Sequence, residues 1–213
     1  MNTVQLDIRT GHAQTVSKVL SWMKDYGNKN NDDGDEGDWS LKGVKVCDAG
    51  CGTGSLSIPL ALRGAEVYGS DISSAMVGEA SQRYQKEKKN DSNNVVFEAK
   101  DLESIEGEYD CVACLDVMIH YPQEKVDDMI QHLTSLAKDN VIVSFAPKTP
   151  SYELLKRIGE LFPGKSKATR AYLHKEEDVI AALNKNGWEI TRKEMTATRF
   201  YFSRLLEAKP MQV

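Results

Sequence analysis

A short apolar run, one carboxylate and three alternate glycines form the most restrictive segment of this sequence. The segment spans residues 46–56, with Asp48 at the end of the apolar run and Gly50, Gly52 and Gly54 behind it. Glycine adopts positive φ angles readily and carries no side chain, so alternate glycines let the backbone turn tightly and approach a ligand. The residues after Gly54 predict a helix, whose first N–H groups lack partners within the helix. The segment therefore predicts a strand–turn–helix unit that binds a small molecule.

Asp48 restricts the kind of ligand. A carboxylate at this place repels a pyrophosphate, whereas it stabilises a ligand that carries positive charge. The glycines also follow the spacing Gly-x-Gly-x-Gly, which differs from the Gly-x-Gly-x-x-Gly spacing of dinucleotide-binding folds. Both features disfavour a nicotinamide-dependent dehydrogenase, which is one alternative for a chain with such a turn.

The composition is that of a globular protein with a sizeable core. At 213 residues, with 40% apolar and 28% charged residues, the chain is expected to form one domain over residues 1–213. The 27 basic and 32 acidic side chains leave a net charge of −5, which disfavours a nucleic-acid partner held through phosphate contacts. Part of the acidity lies within residues 27–40, where we expect a solvated, mobile loop.

The four cysteines favour a structural interpretation. Cys111 and Cys114 stand three residues apart in an apolar run, and residues three apart in a strand point to opposite faces. No histidine or second cysteine pair lies close to them in the sequence, as a zinc site would require. We therefore expect reduced thiols in the core and no protein-bound metal.

Short β-rich runs alternate with longer helical patterns, which is typical of a parallel sheet covered by helices. The predicted strands lie near residues 44–48, 66–70, 95–98, 109–115, 140–145, 188–195 and 199–209. The predicted helices lie near residues 7–26, 56–63, 74–88, 123–137 and 175–186. Residues 147–174 interrupt the alternation and are too long for a simple connection, so we expect a capping or substrate-binding insertion there.

The glycine turn, preceded by its carboxylate, resembles the first motif of the Rossmann-like methyltransferases that bind S-adenosylmethionine (SAM). Residues at the ends of later strands extend this resemblance, because ligands of such sheets bind beyond the carboxyl ends of the strands. Asp71, with Ile72 beside it, is placed to accept both hydroxyls of a ribose. Asp101 is placed to accept from an adenine amino group while Leu102 packs on the ring. Leu115 and Asp116 are expected beside the amino-acid part of SAM. Asp71 and Asp101 can alternatively cap the helices that follow them.

Further blocks of the sequence carry a more specific resemblance. They occupy residues 4–12, 47–54, 114–122, 144–149, 162–164, 166–172 and 199–204. In this order they resemble the magnesium protoporphyrin IX O-methyltransferases of chlorophyll biosynthesis, and the likeness extends from residue 4 to about residue 209. The glycine motif is shared by many methyltransferases, whereas the other blocks are far more specific.

The resemblance implies a three-layer Rossmann-like α/β fold: a seven-stranded, mostly parallel sheet with an antiparallel last strand, capped by the insertion at residues 147–174. It implies an enzyme that moves the methyl group of SAM to one propionate of magnesium protoporphyrin IX. The products are the monomethyl ester and S-adenosylhomocysteine (SAH), and the magnesium arrives inside the porphyrin. It further implies that the protein associates with magnesium chelatase, contacts photosynthetic membranes peripherally, and is located in a chloroplast or a cyanobacterium.

The start of the chain departs from the family pattern. Members usually carry an N-terminal arm, rich in aromatic and basic residues, ahead of the block at residues 4–12. This chain starts at that block, so we expect Met1 to be an engineered or truncated start and the arm to be needed for full activity.

His120 and Tyr121 are the candidate catalytic residues, because they follow the fourth predicted strand within a family block. His120 is expected to donate a hydrogen bond to the propionate, and Tyr121 to contact the substrate. On the first helix, Arg9 is expected to pair with the SAM carboxylate in a bidentate way, joined by Gln5 one turn earlier. His12 shares the face of Arg9. The structural alternative for His120 is packing on its neighbours, and the structural alternative for Arg9 is exposure to solvent.

Two other functions remain open at this point. A SAM-dependent enzyme that acts on a quinone precursor or another small molecule shares all the cofactor residues and differs in the cap and around His120. A non-catalytic protein that binds SAM or a porphyrin also fits the sequence.

Overall fold

The computed structural model of the chain describes residues 3–30, 39–88, 94–149 and 172–212. The strands in these ranges are β1 (Lys45–Ala49), β2 (Glu66–Asp71), β3 (Val95–Ala99), β4 (Tyr109–Cys114), β5 (Ala137–Phe145), β6 (Trp188–Ala197) and β7 (Phe202–Pro210). The helices are α1 (Thr3–Asn30), α2 (Ser57–Ala61), α3 (Ser74–Glu87), α4 (Val126–Leu136) and α5 (Glu176–Lys185). Short 3₁₀ turns span Leu102–Ser104, Met118–His120 and Gln123–Lys125.

All seven strands form one sheet in the order β3-β2-β1-β4-β5-β7-β6. Neighbours from β3 to β5 pair in parallel, and β7 pairs antiparallel with both β5 and β6. The predicted seven-stranded, mostly parallel sheet with an antiparallel last strand is therefore confirmed. The strand order reverses between β1 and β4, so a ligand is expected beyond the carboxyl ends of these two strands.

Helices cover both faces of the sheet and complete the three layers. One core cluster joins the sheet to α4 and α5, and the other joins it to α1, α2 and Tyr84 of α3. The helices follow the spacing of their apolar residues: α4 buries side chains three and four positions apart, which are Val126, Met129, Ile130 and Leu133. Such a stripe faces the sheet along its whole length.

The cysteines lie in the core, as the sequence predicts. Cys111 packs in the cluster on the α1 side and Cys114 in the cluster on the α4 side, because side chains alternate between the faces of a strand. All four cysteines are free and buried, and burial raises the pKa of the Cys111 and Cys114 thiols above the ordinary value. In the described ranges, no three metal-ligating side chains come together.

Helix α1 is longer than predicted at both ends. It begins at Thr3 and continues to Asn30, so residues 27–30, which were predicted to belong to the acidic loop, are helical. The remaining acidic residues, 31–38, lie outside the described residues. None of the helices in the described part of the chain has the length and apolarity that a membrane span requires.

A contact from α1 delays the start of β7. Asp7 accepts hydrogen bonds from the Thr198 hydroxyl (2.6 Å) and the Phe200 N–H (2.7 Å). The Thr198 N–H donates to the Tyr201 carbonyl at 2.8 Å, which closes a turn. The strand therefore begins at Phe202, and the predicted start at Arg199 is wrong because a residue distant in sequence holds the turn.

The ends of the predicted insertion meet at the edge of the described structure. Pro147 forms a parallel β-bridge with His174. The His174 N–H donates to the Ala146 carbonyl at 2.9 Å, and the Lys148 N–H donates to the His174 carbonyl at 2.7 Å. Residues 150–171, where the cap is predicted, lie outside the described residues.

Candidate functional site

The three glycines form the predicted tight turn at the carboxyl end of β1. Their φ angles are +89° at Gly50, +52° at Gly52 and +78° at Gly54, all in the region that favours glycine. A Cβ at Gly50 would lie 2.1 Å from Cγ2 of Val117. The turn after β1 thus packs directly against the residues after β4, at the point where the strand order reverses.

Asp71, at the end of β2, holds this turn in place. Its Oδ2 accepts from the Gly52 N–H at 3.0 Å, and its Oδ1 accepts from the Ser73 N–H at 2.9 Å. Each carboxylate oxygen can accept a further hydrogen bond, so the group is not saturated. The neighbouring Ile72 side chain is 79% exposed, which leaves an apolar surface beside the carboxylate. Ser73, and not Asp71, caps α3 through its side chain.

Asp48 has a partner within the chain. It is only 2% exposed, and it accepts a hydrogen bond from the Ser57 hydroxyl at 2.5 Å. Burial raises the pKa of Asp48 to about 6, against the opposing effect of hydrogen bonds from the Ser57 side chain and backbone. Asp48 therefore ties the start of α2 to the end of β1. Its interaction with a cationic ligand stays a prediction.

The residues predicted around the adenine and the amino-acid part of SAM have structural roles. Asp101 is the N-cap of the turn Leu102–Ser104, where its Oδ1 accepts from the Glu103 N–H at 3.2 Å. The structural alternative is thus realised for Asp101, although the side chain remains exposed and able to bind. Leu102 and Leu115 are both buried in the core clusters, so a bound ligand would touch no more than the edge of either side chain.

The sequence predicted Asp116 at the end of β4 but not the polar cluster that surrounds it. Among the described residues, Asp116 is the only non-glycine residue with a positive φ, +58°. Its carboxylate accepts hydrogen bonds from His12 Nδ1 (2.8 Å) and the Tyr201 hydroxyl (2.8 Å). The hydroxyls of Ser144 (3.0 Å) and Ser203 (3.2 Å) donate to its other oxygen. Such strain in a sparsely populated conformation concentrates at functional sites.

The cluster favours an ion pair between His12 and Asp116. Burial acts to raise the pKa of Asp116, but the hydrogen bond and charge of His12, together with the Tyr201 and Ser144 hydroxyls, lower it below the ordinary value. The hydrogen bond to Asp116 raises the pKa of His12 against the effect of burial, and the charges of Asp116 and Asp48 add to the rise. The sequence signal was partial: His12 was placed on the face of Arg9, but its partner is 104 residues away.

Helix α1 carries the residues predicted to bind the SAM carboxylate on the side of the helix that also carries His12. Gln5 and Arg9 are exposed on α1, and His12 follows one turn after Arg9. Gly11 makes a close approach, since a Cβ there would lie 2.3 Å from Cδ1 of the Tyr201 ring. This contact seats α1 against the start of β7 and so against the Asp116 cluster.

His120 and Tyr121 lie at the end of the 3₁₀ turn Met118–His120, a few residues after β4. His120 is exposed and Tyr121 is half-buried. Burial, followed by the charge of Asp101, raises the pKa of Tyr121. The structure therefore places both candidates beyond the carboxyl end of β4, on the same edge of the sheet as the glycine turn.

His174, which the sequence analysis did not single out, anchors this 3₁₀ turn. Its buried imidazole donates through Nε2 to the Met118 carbonyl at 2.8 Å, and Nδ1 lies 3.0 Å from the Gln123 side-chain amide. The Tyr172 N–H donates to the Ile119 carbonyl at 2.8 Å. Burial lowers the pKa of His174, against the opposing effects of the Met118 hydrogen bond and the Asp178 charge. The returning end of the insertion thus holds the backbone that carries His120.

The fold and the site together define the class of protein. A family model described as "Methyltransferase domain" matches residues 46–140. A SAM-dependent methyltransferase from Methanosarcina mazei has a TM-score of 0.66 at 17% identity, covering 80% of this chain and 93% of that one. At that identity the likeness concerns the fold alone, and the fold is that of the SAM-dependent methyltransferases.

More similar proteins narrow the class to a family. The model described as "Magnesium-protoporphyrin IX methyltransferase C-terminus" matches residues 114–210. A magnesium-protoporphyrin O-methyltransferase from Synechocystis is 55% identical over 208 residues, which is 98% of this chain and 85% of the relative. A crystal structure of the Synechocystis enzyme with bound SAH has a TM-score of 0.85 at 53% identity, covering 99% of this chain and 88% of that one. The chain belongs to the magnesium-protoporphyrin IX methyltransferase family.

A plant relative is longer than this chain. The chloroplastic magnesium protoporphyrin IX methyltransferase of Arabidopsis thaliana is 57% identical over 211 residues, which is 99% of this chain. The chain spans 64% of the length of that relative.

Proposed function

We propose that the protein transfers the methyl group of SAM to a propionate carboxylate of magnesium protoporphyrin IX, leaving the monomethyl ester and SAH. The observation that carries the proposal is the 55% identity to the Synechocystis enzyme along 98% of this chain. By contrast, a ubiquinone biosynthesis O-methyltransferase from Dechloromonas aromatica matches 39% of this chain. The wider match favours the porphyrin over a quinone precursor.

The residues of the site fit SAM. Synechocystis structures similar to this chain contain SAM or SAH. In this chain, Gly52 leaves open space beside the backbone, since no atom lies within 4 Å of a Cβ built there. Asp71 retains capacity to accept ribose hydroxyls, and the exposed Ile72 offers an apolar surface for the adenine.

The other predicted cofactor residues surround this core of the site. We assign Asp101 to the adenine amino group, with Leu102 at the ring edge and Leu115 beside the amino-acid part. Gln5 and Arg9, exposed on α1, would hold the SAM carboxylate.

The reaction requires the protein to position the propionate against the methyl group of SAM and to exclude water from the site. When bound, SAM supplies a methyl group on a positively charged sulfur. The attacking propionate has a pKa of about 4.3 by analogy with glutamate, so it is ionised at neutral pH and no general base is required. Orientation alone is worth about 7–11 kcal/mol in favourable systems, and exclusion of water strengthens the attraction between anion and sulfonium.

His120 is the residue we assign to this positioning. It is exposed at the end of a 3₁₀ turn whose backbone is held by His174 and Tyr172, so its side chain can donate to the propionate from a fixed backbone. Tyr121 lies next to it, half-buried against the core cluster, and would contact the substrate.

Location and partners follow from the same family. We place the protein in a chloroplast or a cyanobacterium, at the surface of photosynthetic membranes and beside magnesium chelatase. The compartment is supported by a relative named as chloroplastic and by one from Synechocystis. The membrane surface and the chelatase are proposed from the resemblance alone. Co-sedimentation with thylakoid vesicles, with and without the chelatase, tests both associations.

Methyl transfer is tested directly with radiolabelled SAM and a panel of metalloporphyrin carboxylates and quinone precursors. The chain is assayed as it stands and with an N-terminal arm of the kind that the resemblance implies added. We expect ester formation on magnesium protoporphyrin IX; transfer only to a quinone would contradict the proposal. The variant His120→Ala is expected to lower turnover at least about tenfold, as loss of a charge-assisted hydrogen bond does, with SAH affinity unchanged. A large loss of SAH binding would instead mean that His120 is structural.

A further inference from the structure

His12 has one ring nitrogen committed and one available. Nδ1 donates to Asp116 at 2.8 Å. Within the part of the chain that the structure describes, Nε2 has no hydrogen-bond partner, and the side chain is 34% exposed. A charged imidazole carries a donor on each nitrogen, so Nε2 presents an N–H with positive charge toward accessible space.

This nitrogen lies where the ligand is expected. Asp116 follows β4, and the adjacent Val117 is in contact distance of the glycine turn after β1, at Gly50. His12 also responds to the charge of Asp48 at the end of β1. The imidazole therefore lies near the carboxyl ends of β1 and β4, the two strands between which the strand order reverses.

The groups packed around His12 favour its charged form. Among the described residues, the titratable groups that face it from other elements are Asp116 after β4, Asp48 in β1 and Tyr201 before β7. Arg9 shares its face of α1, one turn earlier. Both carboxylates favour the imidazolium, and the Tyr201 hydroxyl donates to Asp116, so it supports the negative charge opposite His12. Asp116 is itself held by four donors, so it cannot turn away without leaving several hydrogen bonds unmade.

We propose that His12 binds a carboxylate group of the ligand through Nε2, and that Asp116 is the positioning residue that orients the ring. The arrangement suits this role because charge-assisted hydrogen bonds to carboxylates are short and strong. The inference rests on the proposed function, which brings two carboxylates to this edge of the sheet. One is the amino-acid carboxylate of SAM, and the other is a propionate of the porphyrin.

Calorimetry on the whole chain separates these sources. The variant His12→Asn keeps an N–H donor near the position of Nδ1 for Asp116 but has nothing at the position of Nε2. We expect the affinity for SAH to fall about 10- to 100-fold, while the affinity for 5′-methylthioadenosine, which has no carboxylate, stays unchanged. If the porphyrin propionate is the partner, SAH affinity is kept and the KM for magnesium protoporphyrin IX rises by a similar factor. His132→Asn, on α4 at the other face of the sheet, is the control and should change none of these.

The pH dependence gives a second readout. The pKa of His12 is raised, so the imidazolium is complete below the ordinary histidine value and is lost as the pH rises through the raised value. Binding of the carboxylate ligand should weaken over that interval in the natural chain and lose this dependence in His12→Asn. Equal weakening of SAH and 5′-methylthioadenosine, or no change in either SAH affinity or porphyrin KM, would overturn the inference. Calorimetry with SAH needs no methyl transfer, so failure of the proposed reaction is distinguishable from failure of this inference.

Discussion

Gly50 is the position in the glycine turn where one added methyl group should cost most. Its φ is +89° and a Cβ built there lies 2.1 Å from Cγ2 of Val117. Gly43, in the loop before β1, has a nearly equal φ of +81° and no atom within 4 Å of the added Cβ. The pair of variants Gly50→Ala and Gly43→Ala therefore separates steric overlap from the cost of the backbone conformation.

The magnitudes follow from these two terms. A left-handed conformation costs a residue with a side chain about 1–2 kcal/mol, and this applies to both variants. Only Gly50→Ala adds overpacking against Val117, which costs about 1–3 kcal/mol in a packed interior. We expect the free energy of unfolding to fall by about 1–2 kcal/mol for Gly43→Ala and by about 2–5 kcal/mol for Gly50→Ala.

Equilibrium unfolding in urea measures both losses, and calorimetry with SAH measures the ligand site. Gly50→Ala should also weaken SAH binding, whereas Gly43→Ala should not. The double variant Gly50→Ala/Val117→Ala removes the atom in collision and should be more stable than the sum of the single losses predicts. Equal losses for the two glycine variants, or strict additivity in the double variant, would refute the packing argument.

Two further predictions concern Asp48 and His174. The folded-state pKa of Asp48, about 6, exceeds its ordinary value of 3.8. The free energy of unfolding should therefore fall as the pH rises through that window, by about 3 kcal/mol in total. The variant Asp48→Asn should remove this pH dependence, and urea titrations at several pH values check it. His174→Phe removes the donor to the Met118 carbonyl and should lower methyl transfer about tenfold with SAH affinity unchanged, while His174→Gln, which keeps a donor, should retain more activity. Steady-state kinetics beside calorimetry test this, and a parallel loss of SAH binding would contradict it.

Much of the fold was predictable because its signals are local. Alternation of strand and helix patterns predicted the layers, and the glycines predicted the turn after β1, since their conformational freedom is a property of the residues themselves. The spacing of Cys111 and Cys114 predicted opposite faces of one strand, and they pack in different core clusters. Element ends were less predictable: β7 begins at Phe202 because Asp7, far away in sequence, holds the preceding turn.

The candidate site was predictable in position but not in its internal partners. Residues after successive parallel strands meet at one edge of the sheet, so the edge could be predicted from strand ends alone. The contacts that each side chain makes at this edge could not be predicted from the strand ends. Asp101 caps a 3₁₀ turn and Asp48 holds Ser57, contacts that the strand-end pattern left open beside ligand binding.

The sequence by itself determined the class of fold, the glycine turn and the edge at which a ligand is expected, because each depends on short-range pattern and on the shared direction of parallel strands. Only the tertiary structure decided that His12, Asp116 and Tyr201 form one hydrogen-bonded cluster. These residues are separated by 104 and 85 positions, and they meet because β7 inserts antiparallel between β5 and β6 while α1 packs on its start. Asp116 carries no local signal for its left-handed conformation; four donors from distant elements hold it there.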